Sequence, residues 1–316
     1  MGHTAAAAFG YHHARYAESL AAYGQPWALD ASRGWVLRRP IAQSPWHDAM
    51  GCYPLLAVDD WQHLPDDLAE LGADCVSFAA VTDPFGDYTP ELLRRCFPDV
   101  LVPFKAHYVV DLARPSKSFV SAHHRRNARR ALATLTVERH AEPSGGLDDW
   151  LTLYGLLTDR HAIRGLQAFS RPAFATQLQV PGIVLLRAMA GAEIVGMHLW
   201  YLDQGIGYYH LGACSERGYQ LGAAFALLQT AIDSFADRAR WLSLGAGAGL
   251  SDDPEDGLGR FKRGWASETR TAYFGGRILQ PDRYAELCRV APPSEHPYFP
   301  AYRAGELTNG APLAEG

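Results

Sequence analysis

Nowhere in its 316 residues does the chain carry a run of about 18 apolar residues, which argues against a membrane-spanning helix. Cysteine is scarce. The five cysteines, at positions 52, 75, 96, 214 and 288, are odd in number and never form a Cys-x-x-Cys pair. Neither a disulfide framework nor a zinc ribbon follows from that pattern, and Cys75 and Cys214, set in apolar runs, read as small core residues. A Gly-x-Ser-x-Gly elbow, a P-loop and a His-Glu-x-x-His helix are also missing, which removes the commonest hydrolase, nucleotide-triphosphatase and metalloprotease readings. The start, MGHTAAAAFGYHHARYAE, lacks the basic-then-apolar order of a secretory leader, and a cytoplasmic location is expected. Histidine, at 13 residues, is plentiful. Four of these form the pairs His12-His13 and His123-His124, whose side chains diverge on a helix, so no metal site is expected.

With 48% apolar and 20% charged residues the composition is that of a globular protein. Net charge is −5, yet Arg114 through Arg130 holds six Arg or Lys and no Asp or Glu. The stretch HHRRNARRAL at 123–132 is helical in composition, with Ser118 as its expected cap. Arg125, Arg126, Arg129 and Arg130 then form one broad stripe. Such a stripe is either a solvated face or a grip for phosphates, for which the guanidinium fork is suited.

The first third reads as short strands broken by Pro, Gly and Asp clusters: 35–39, 55–58, 75–81, 100–104 and 107–112. A helix is predicted over 89–97, with Thr89 as cap and Pro90 at its first position. SGG at 144–146 reads as a linker. Beyond it come an amphipathic helix over 148–163 and a short helix opened by Ser170. Strands at 182–189, 194–202 and 206–213 follow, then a long helix over 218–236 and a strand at 241–245. After FKRGW, strands at 269–274 and 277–279 are expected around a Gly-Gly turn, then a short helix at 283–288. The last 25 or so residues are Pro-rich and expected to be irregular.

Strand, strand, glycine loop, long helix, strand is the layout of an acyl-donor site, because a helix N-terminus offers free N–H groups to phosphate. Here the residues begin to resemble a family. YYHLGACSERGYQLGAAFALLQTAI is similar to the strand-loop-helix core of the GNAT superfamily. LSLGAGAG…DGLGRFKRGWA resembles the Asp-hydrophobic-Gly-Gly…Gly-Leu-x-x-Phe-Lys-x-x-Phe signature of its Fem-like branch. The resemblance is strongest over 148–290. It implies an α+β fold of two tandem GNAT-like halves packed side by side, mixed central sheets flanked by helices, with an acceptor cleft between them. In chain order that gives a first half at 1–115, the basic helix and linker at 116–145, an acyltransferase half at 146–290 and an irregular tail at 291–316. A faint echo of RFKRGW in PFKAHY, at 103–108, is consistent with two halves.

The activity implied is transfer of an aminoacyl group from the acceptor end of a charged tRNA to a small-molecule or peptide amine, forming an amide. No tightly bound cofactor is implied; the donor is a co-substrate. Acyl-CoA is the alternative donor, and a non-catalytic module binding a nucleotide-linked ligand is a further reading. The sequence departs from the family at instructive places. Where CoA-using members carry Arg or Gln before Gly-x-Gly/Ala, this chain has Tyr219 ahead of Gly222 and Ala224. Ser243-Leu244-Gly245-Ala246 replaces Asp-Phe-Gly-Gly, and Trp265 replaces a Phe.

The resemblance makes Lys262 the residue nearest the acyl carbonyl, where a fixed cation would stabilise a developing oxyanion. It follows an acidic run, Asp252, Asp253, Glu255 and Asp256, whose alternative role is simply to neutralise Lys262 and Arg263. Phe261, Arg263, Tyr219, Gly222, Ala224 and the basic residues Arg125, Arg126 and Arg129 are expected at the donor. His210, at the end of a strand before the loop, is a candidate base for the amine, with Tyr209 able to donate to a leaving group. His198, Asp159 and His161 are expected to line the acceptor side.

Overall fold

The computed structural model describes residues 8–165, 168–249, 256–291, 298–304 and 306. The chain divides into two units that are not consecutive in sequence. One comprises 11–104, 164–169 and 272–316; the other comprises 1–10, 105–163 and 170–271.

The unit beginning at residue 11 contains α1 (Ala14–Glu18), β1 (Gln25–Leu29), β2 (Gly34–Pro40), β3 (His47–Gly51), α2 (Leu64–Leu71), β4 (Cys75–Val81) and α3 (Pro90–Cys96). β1, β2 and β3 form an antiparallel meander, and β4 joins β3 in parallel. α3 starts where the sequence says it should: the Thr89 hydroxyl accepts from Leu92 N–H at 3.2 Å, and Pro90 fills the first position, where no N–H is needed. Leu56, Trp61, Leu68, Phe78, Leu93 and Phe97 are buried together as its core. Only isolated bridges occur in the expected strand at 55–58.

β5 (Val100–Asp111) passes from this unit into the other as a single strand, where two were expected. There follow α4 (Ala122–Leu132), β6 (Thr136–Arg139), α5 (Leu147–His161), α6 (Arg171–Gln177), β7 (Ile183–Ala190), β8 (Glu193–Asp203), β9 (Ile206–Cys214), α7 (Glu216–Leu221), α8 (Ala223–Phe235), β10 (Trp241–Ser243) and α9 (Gly257–Arg263). Strand order in this unit is β5-β10-β9-β8-β7-β6. β10 is antiparallel to β5 and parallel to β9, whereas β6 through β9 pair antiparallel. α8 lies against β7 and β8, and α4 lies on α8. Trp200, Leu227, Leu228, Phe235 and Trp265 are each no more than 1% exposed in the core they share. α5 covers β8 and β9 with the buried Trp150, Leu153 and Tyr154.

β11 (Glu268–Ile278) returns the chain to the unit that began at residue 11, and α10 (Pro281–Val290) follows. Phe274–Ile278 pairs antiparallel with Val81–Ser77, so the end of β11 lies beside β4 of the unit that began at residue 11. A Gly-Gly turn was expected here. Gly275 and Gly276 are strand residues, because a Cβ on either would stand 2.4 Å from the Phe97 ring or 2.6 Å from the Phe299 ring. Tyr302 and Arg303 are tied down too: Asp48, fully buried, accepts from Arg39 Nε at 3.2 Å, Arg303 Nη2 at 3.0 Å and Tyr302 Oη at 3.0 Å. Residues 292–297, 305 and 307–316 lie outside the described residues.

Three further expectations change. The SGG linker is part of a 3-10 turn, Pro143–Gly146, with Gly146 buried against Leu185. Ser121, not Ser118, caps the basic helix. The long helix expected over 218–236 breaks into α7 and α8 at Gly222, whose φ of +73° suits glycine.

Candidate functional site

β10 follows β9 in register only from Trp241 opposite Ile206 to Ser243 opposite Tyr208. The next residues stay with β5 instead: Leu244 N–H donates to Tyr108 O at 2.8 Å, and Tyr108 N–H to Gly245 O at 3.0 Å. On its other edge β9 slips by one residue, Leu211 facing Leu199 while Tyr209 faces Trp200. His210 is therefore an extra residue, and a bulge bends the strand that carries it. The two strands part just where the bulge begins.

Into this parting reaches Lys262. α9, which carries it, is only seven residues long and owes its start to Asp256, whose Oδ1 accepts from Leu258 N–H at 3.1 Å. Its Oδ2 accepts from Gly259 N–H and Ala248 N–H, both at 2.8 Å. Asp252, Asp253 and Glu255 of the acidic run lie outside the described residues. Lys262 is 7% exposed; its Nζ donates to Ala246 O at 2.7 Å and stands 5.7 Å from the centroid of the Tyr209 ring. Burial pulls its pKa from 10.5 down to about 7, against the opposing pull of Asp256. The resemblance implied a fixed cation. This one titrates near neutrality.

Tyr209 and His198 meet at 4.7 Å between ring centroids. Gly212, opposite His198, makes that meeting possible, since a Cβ there would fall 1.9 Å from Tyr209 Oη and 2.7 Å from the His198 ring. His198 is buried, which lowers its pKa to about 3, and its Nδ1 has no partner among the described residues. Burial raises the Tyr209 hydroxyl above its ordinary range.

Sequence reasoning did not single out His107. It sits on β5 beside the Gly245 segment, 8% exposed, again with an Nδ1 lacking a partner among the described residues. Burial, then the charges of Lys262 and Lys105, push its pKa down to about 3. The echo of PFKAHY in RFKRGW was the available signal: Lys105 and Lys262, the lysines of the two motifs, are 5% and 7% exposed.

His210 goes elsewhere. Its Nε2 lies 3.2 Å from Gln177 Oε1, its ring is 5.1 Å from that of Tyr201, and burial lowers its pKa to about 3. That environment suits a structural histidine at the bulge better than a base.

The basic helix meets the lysine helix. His124 Nε2 is 3.0 Å from Phe261 O, and the Ser121 backbone N–H donates to Gly264 O at 2.9 Å. Arg126, Arg129 and Arg130 are exposed on α4, and no carboxylate among the described residues pairs with them. Arg125 is spent locally, its Nη1 donating to the Val120 and Lys117 carbonyls. Arg263 is also exposed, with Nη2 3.4 Å from Tyr108 Oη.

At the expected donor loop, Gly222 separates α7 from α8, and the Ala224 amide is directed at the buried Cys214 sulfur. Tyr219 is 45% exposed, and the Arg160 guanidinium stacks on its ring at 4.2 Å while also bonding Glu216 at 2.7 Å. Asp159 and His161 are exposed in the last turn of α5. Among the described residues there is no group of three His, Cys, Asp or Glu able to hold a metal, and no helix is long and apolar enough to cross a membrane.

Residues 120–263 match a family profile described as an acetyltransferase (GNAT) domain. No curated protein matches the chain significantly. Among solved structures, FemX aligns with a TM-score of 0.63 at 13% identity, covering 86% of this chain and 92% of its own. The C-terminal domain (DUF2156) of a putative lysylphosphatidylglycerol synthetase from Agrobacterium fabrum aligns with a TM-score of 0.60 at 16% identity, covering 88% and 91%. L-PGS from Bacillus licheniformis does so with a TM-score of 0.60 at 15% identity, covering 83% and 87%. Identities this low speak for the fold alone.

Proposed function

We propose that this chain, whose residues 120–263 match a GNAT-domain profile and whose fold is similar to that of FemX, transfers an aminoacyl group from charged tRNA to an amine, forming an amide. The observation that carries the reading is Lys262, buried where β9 and β10 part and joined through His124 to a helix whose Arg126, Arg129 and Arg130 are exposed with no carboxylate partner among the described residues. In the proposed reaction the acceptor amine attacks the ester carbonyl and the electron pair moves to its oxygen. The Lys262 ammonium donates to that oxyanion in a desolvated setting, where such a bond is strongest. As the carbonyl re-forms, the bond to the tRNA 3′-oxygen breaks, and the proton lost by the attacking nitrogen passes to that oxygen, releasing the free 3′-hydroxyl and the amide. Tyr209 supports the ammonium from below, through its ring. The exposed Arg126, Arg129 and Arg130 hold phosphates of the acceptor end. Much of the rate comes from orientation of the two substrates, so a dedicated protein base is not required.

Two features weigh against acyl-CoA as donor. Tyr219 stands where a pyrophosphate partner is expected, and the Ala224 amide is turned to Cys214. The acetyltransferase description of the matching family favours acyl-CoA, which is therefore the second reading. One experiment separates them: binding of tRNA charged with labelled amino acids, set beside calorimetry with acyl-CoAs. Salt-sensitive binding of charged over uncharged tRNA is the expected result. CoA binding without tRNA binding would move the assignment to the acyl-CoA reading.

A further inference from the structure

Two stretches stand out in the sequence, HHRRNARRAL and FKRGW, and a histidine of the first is bonded to the backbone of the second. We infer that His124 is a positioning residue for Lys262, a latch that holds α9 so that the lysine stays in its dry seat at Ala246. The inference rests on the reading of Lys262 as the transfer site.

A seven-residue helix does not hold its own place. The N-terminus of α9 is fixed by Asp256. At the other end the last four carbonyls lack intrahelical donors in any α-helix. Here Arg260 O receives Gly264 N–H, Lys262 O receives Trp265 and Ala266 N–H, and Arg263 O receives Ala266 N–H. Phe261 O is left, and His124 Nε2 fills it at 3.0 Å.

The other imidazole nitrogen is fixed as well. Ser121 Oγ accepts from His124 backbone N–H at 3.2 Å and lies 2.7 Å from His124 Nδ1. With the hydroxyl donating to Nδ1, the ring proton is on Nε2, the nitrogen that must donate to Phe261 O. Ser121 thus caps α4 and sets the tautomer of the latch.

The sequence makes room for this ring. A Cβ on Gly264 would stand 2.1 Å from His124 Cε1, so the glycine of FKRGW admits the imidazole. Around the ring close Phe225 at 5.2 Å, Phe261 at 5.6 Å and Trp265 at 5.2 Å. Lys262 follows Phe261 directly, so a shift of the Phe261 carbonyl moves the lysine.

The test reads Lys262 itself, without needing a substrate: its acetylation by acetic anhydride as a function of pH, followed by peptide mass spectrometry. Among the described residues the titratable groups facing Lys262 are Asp256, His107 with Lys105 beside it, and Tyr209, and none of the His124 variants alters them. Wild type should half-react near pH 7. In His124→Ala the midpoint should rise by about one pH unit, a tenfold change in protonation, as water reaches a loosened α9. His124→Gln, which keeps a donor for Phe261 O, should stay at the wild-type midpoint, and His124→Asn, which reaches Ser121 only, should move. If His124→Ala does not fold, the Gln and Asn variants decide alone. Equal midpoints in the Gln and Asn variants would overturn the latch. In the transfer assay His124→Ala should lower kcat about tenfold with KM little changed, and add nothing to the loss in a Lys262→Ala background. Absence of transfer in wild type would sink the proposed function while leaving the labelling result to judge the latch.

Discussion

Replacing Lys262 with methionine should make the protein more stable and inactive at once. Lys262 has its pKa lowered from 10.5 to about 7 by burial. A base whose pKa is depressed in the folded state penalises folding wherever the unfolded chain binds the extra proton. The penalty is complete below pH 7, where both states are protonated and the folded one holds a desolvated ammonium. It shrinks as pH rises from 7 to 10.5, because the folded state has already released its proton. At 1.36 kcal/mol per unit the full shift amounts to about 5 kcal/mol below neutrality and about 2 kcal/mol near pH 9. Methionine of similar length removes that cost but orphans the Ala246 carbonyl, which returns about 1 kcal/mol. The net expectation is a gain of about 3–4 kcal/mol at pH 6, falling to about 1 kcal/mol at pH 9, read by chemical denaturation at both pH values. Transfer should be lost at every pH. A variant equal to or less stable than wild type at pH 6, or a gain that does not shrink with pH, would refute the claim that a desolvated ammonium is held at the site.

In the wild-type enzyme kcat/KM should fall as pH rises through about 7, since the protonated Lys262 is the form proposed to act; a profile rising through that value would assign it the role of a base. Charge reversal of Arg126 and Arg129 should weaken charged-tRNA binding and reduce its salt slope by about two released counterions, whereas Arg125→Ala should affect stability more than the slope. Gly212→Ala should displace the Tyr209 ring from Lys262 and cost about 1–3 kcal/mol by overpacking, with transfer reduced beyond what the stability loss explains. Arg303→Ala, which leaves the fully buried Asp48 short of a partner, should destabilise by about 3–5 kcal/mol without altering the Lys262 labelling midpoint.

How much of this was legible in the sequence depends on what holds each element. Strands that read as near-continuous apolar runs bounded by turn residues, such as 75–81 and those between 183 and 214, are placed within a residue or two of their observed ends. Helices with a side-chain cap and a first-turn proline, such as α3 and α6, are equally clear. The failures are those in which a distant partner decides. Gly275-Gly276 has every local mark of a turn, yet two phenylalanine rings from elsewhere make it a strand. SGG reads as a linker until Leu185 is seen against Gly146. Ser118 and Ser121 are equally good caps by type, and only the second also has a histidine to hold.

The candidate site divides along the same line. Lys262 was legible because FKRGW is a motif with a fixed spacing, and Tyr209 because it adjoins the strand end that the motif implies. His210 looked like the base for that same reason of proximity in sequence, but a strand puts neighbouring side chains on opposite faces. One residue along β9 changes the company from Lys262 and His198 to Gln177 and Tyr201. His107 was illegible for the converse reason. It is about 150 residues from Lys262 in sequence, and only the pairing of β5 with the segment after β10 brings them together. The basic stripe stands between these cases. Charge alone could not separate a solvated face from a phosphate grip, and it still does not. What supports the proposed grip is that α4 is bonded through His124 to the helix carrying Lys262, while Arg126, Arg129 and Arg130 have no carboxylate partner among the described residues. In the proposed arrangement the stripe is fastened, through His124, to the helix that carries the buried Lys262. The salt slope of the Arg126 and Arg129 variants, taken with the His124 labelling midpoint, therefore tests one arrangement from both of its ends.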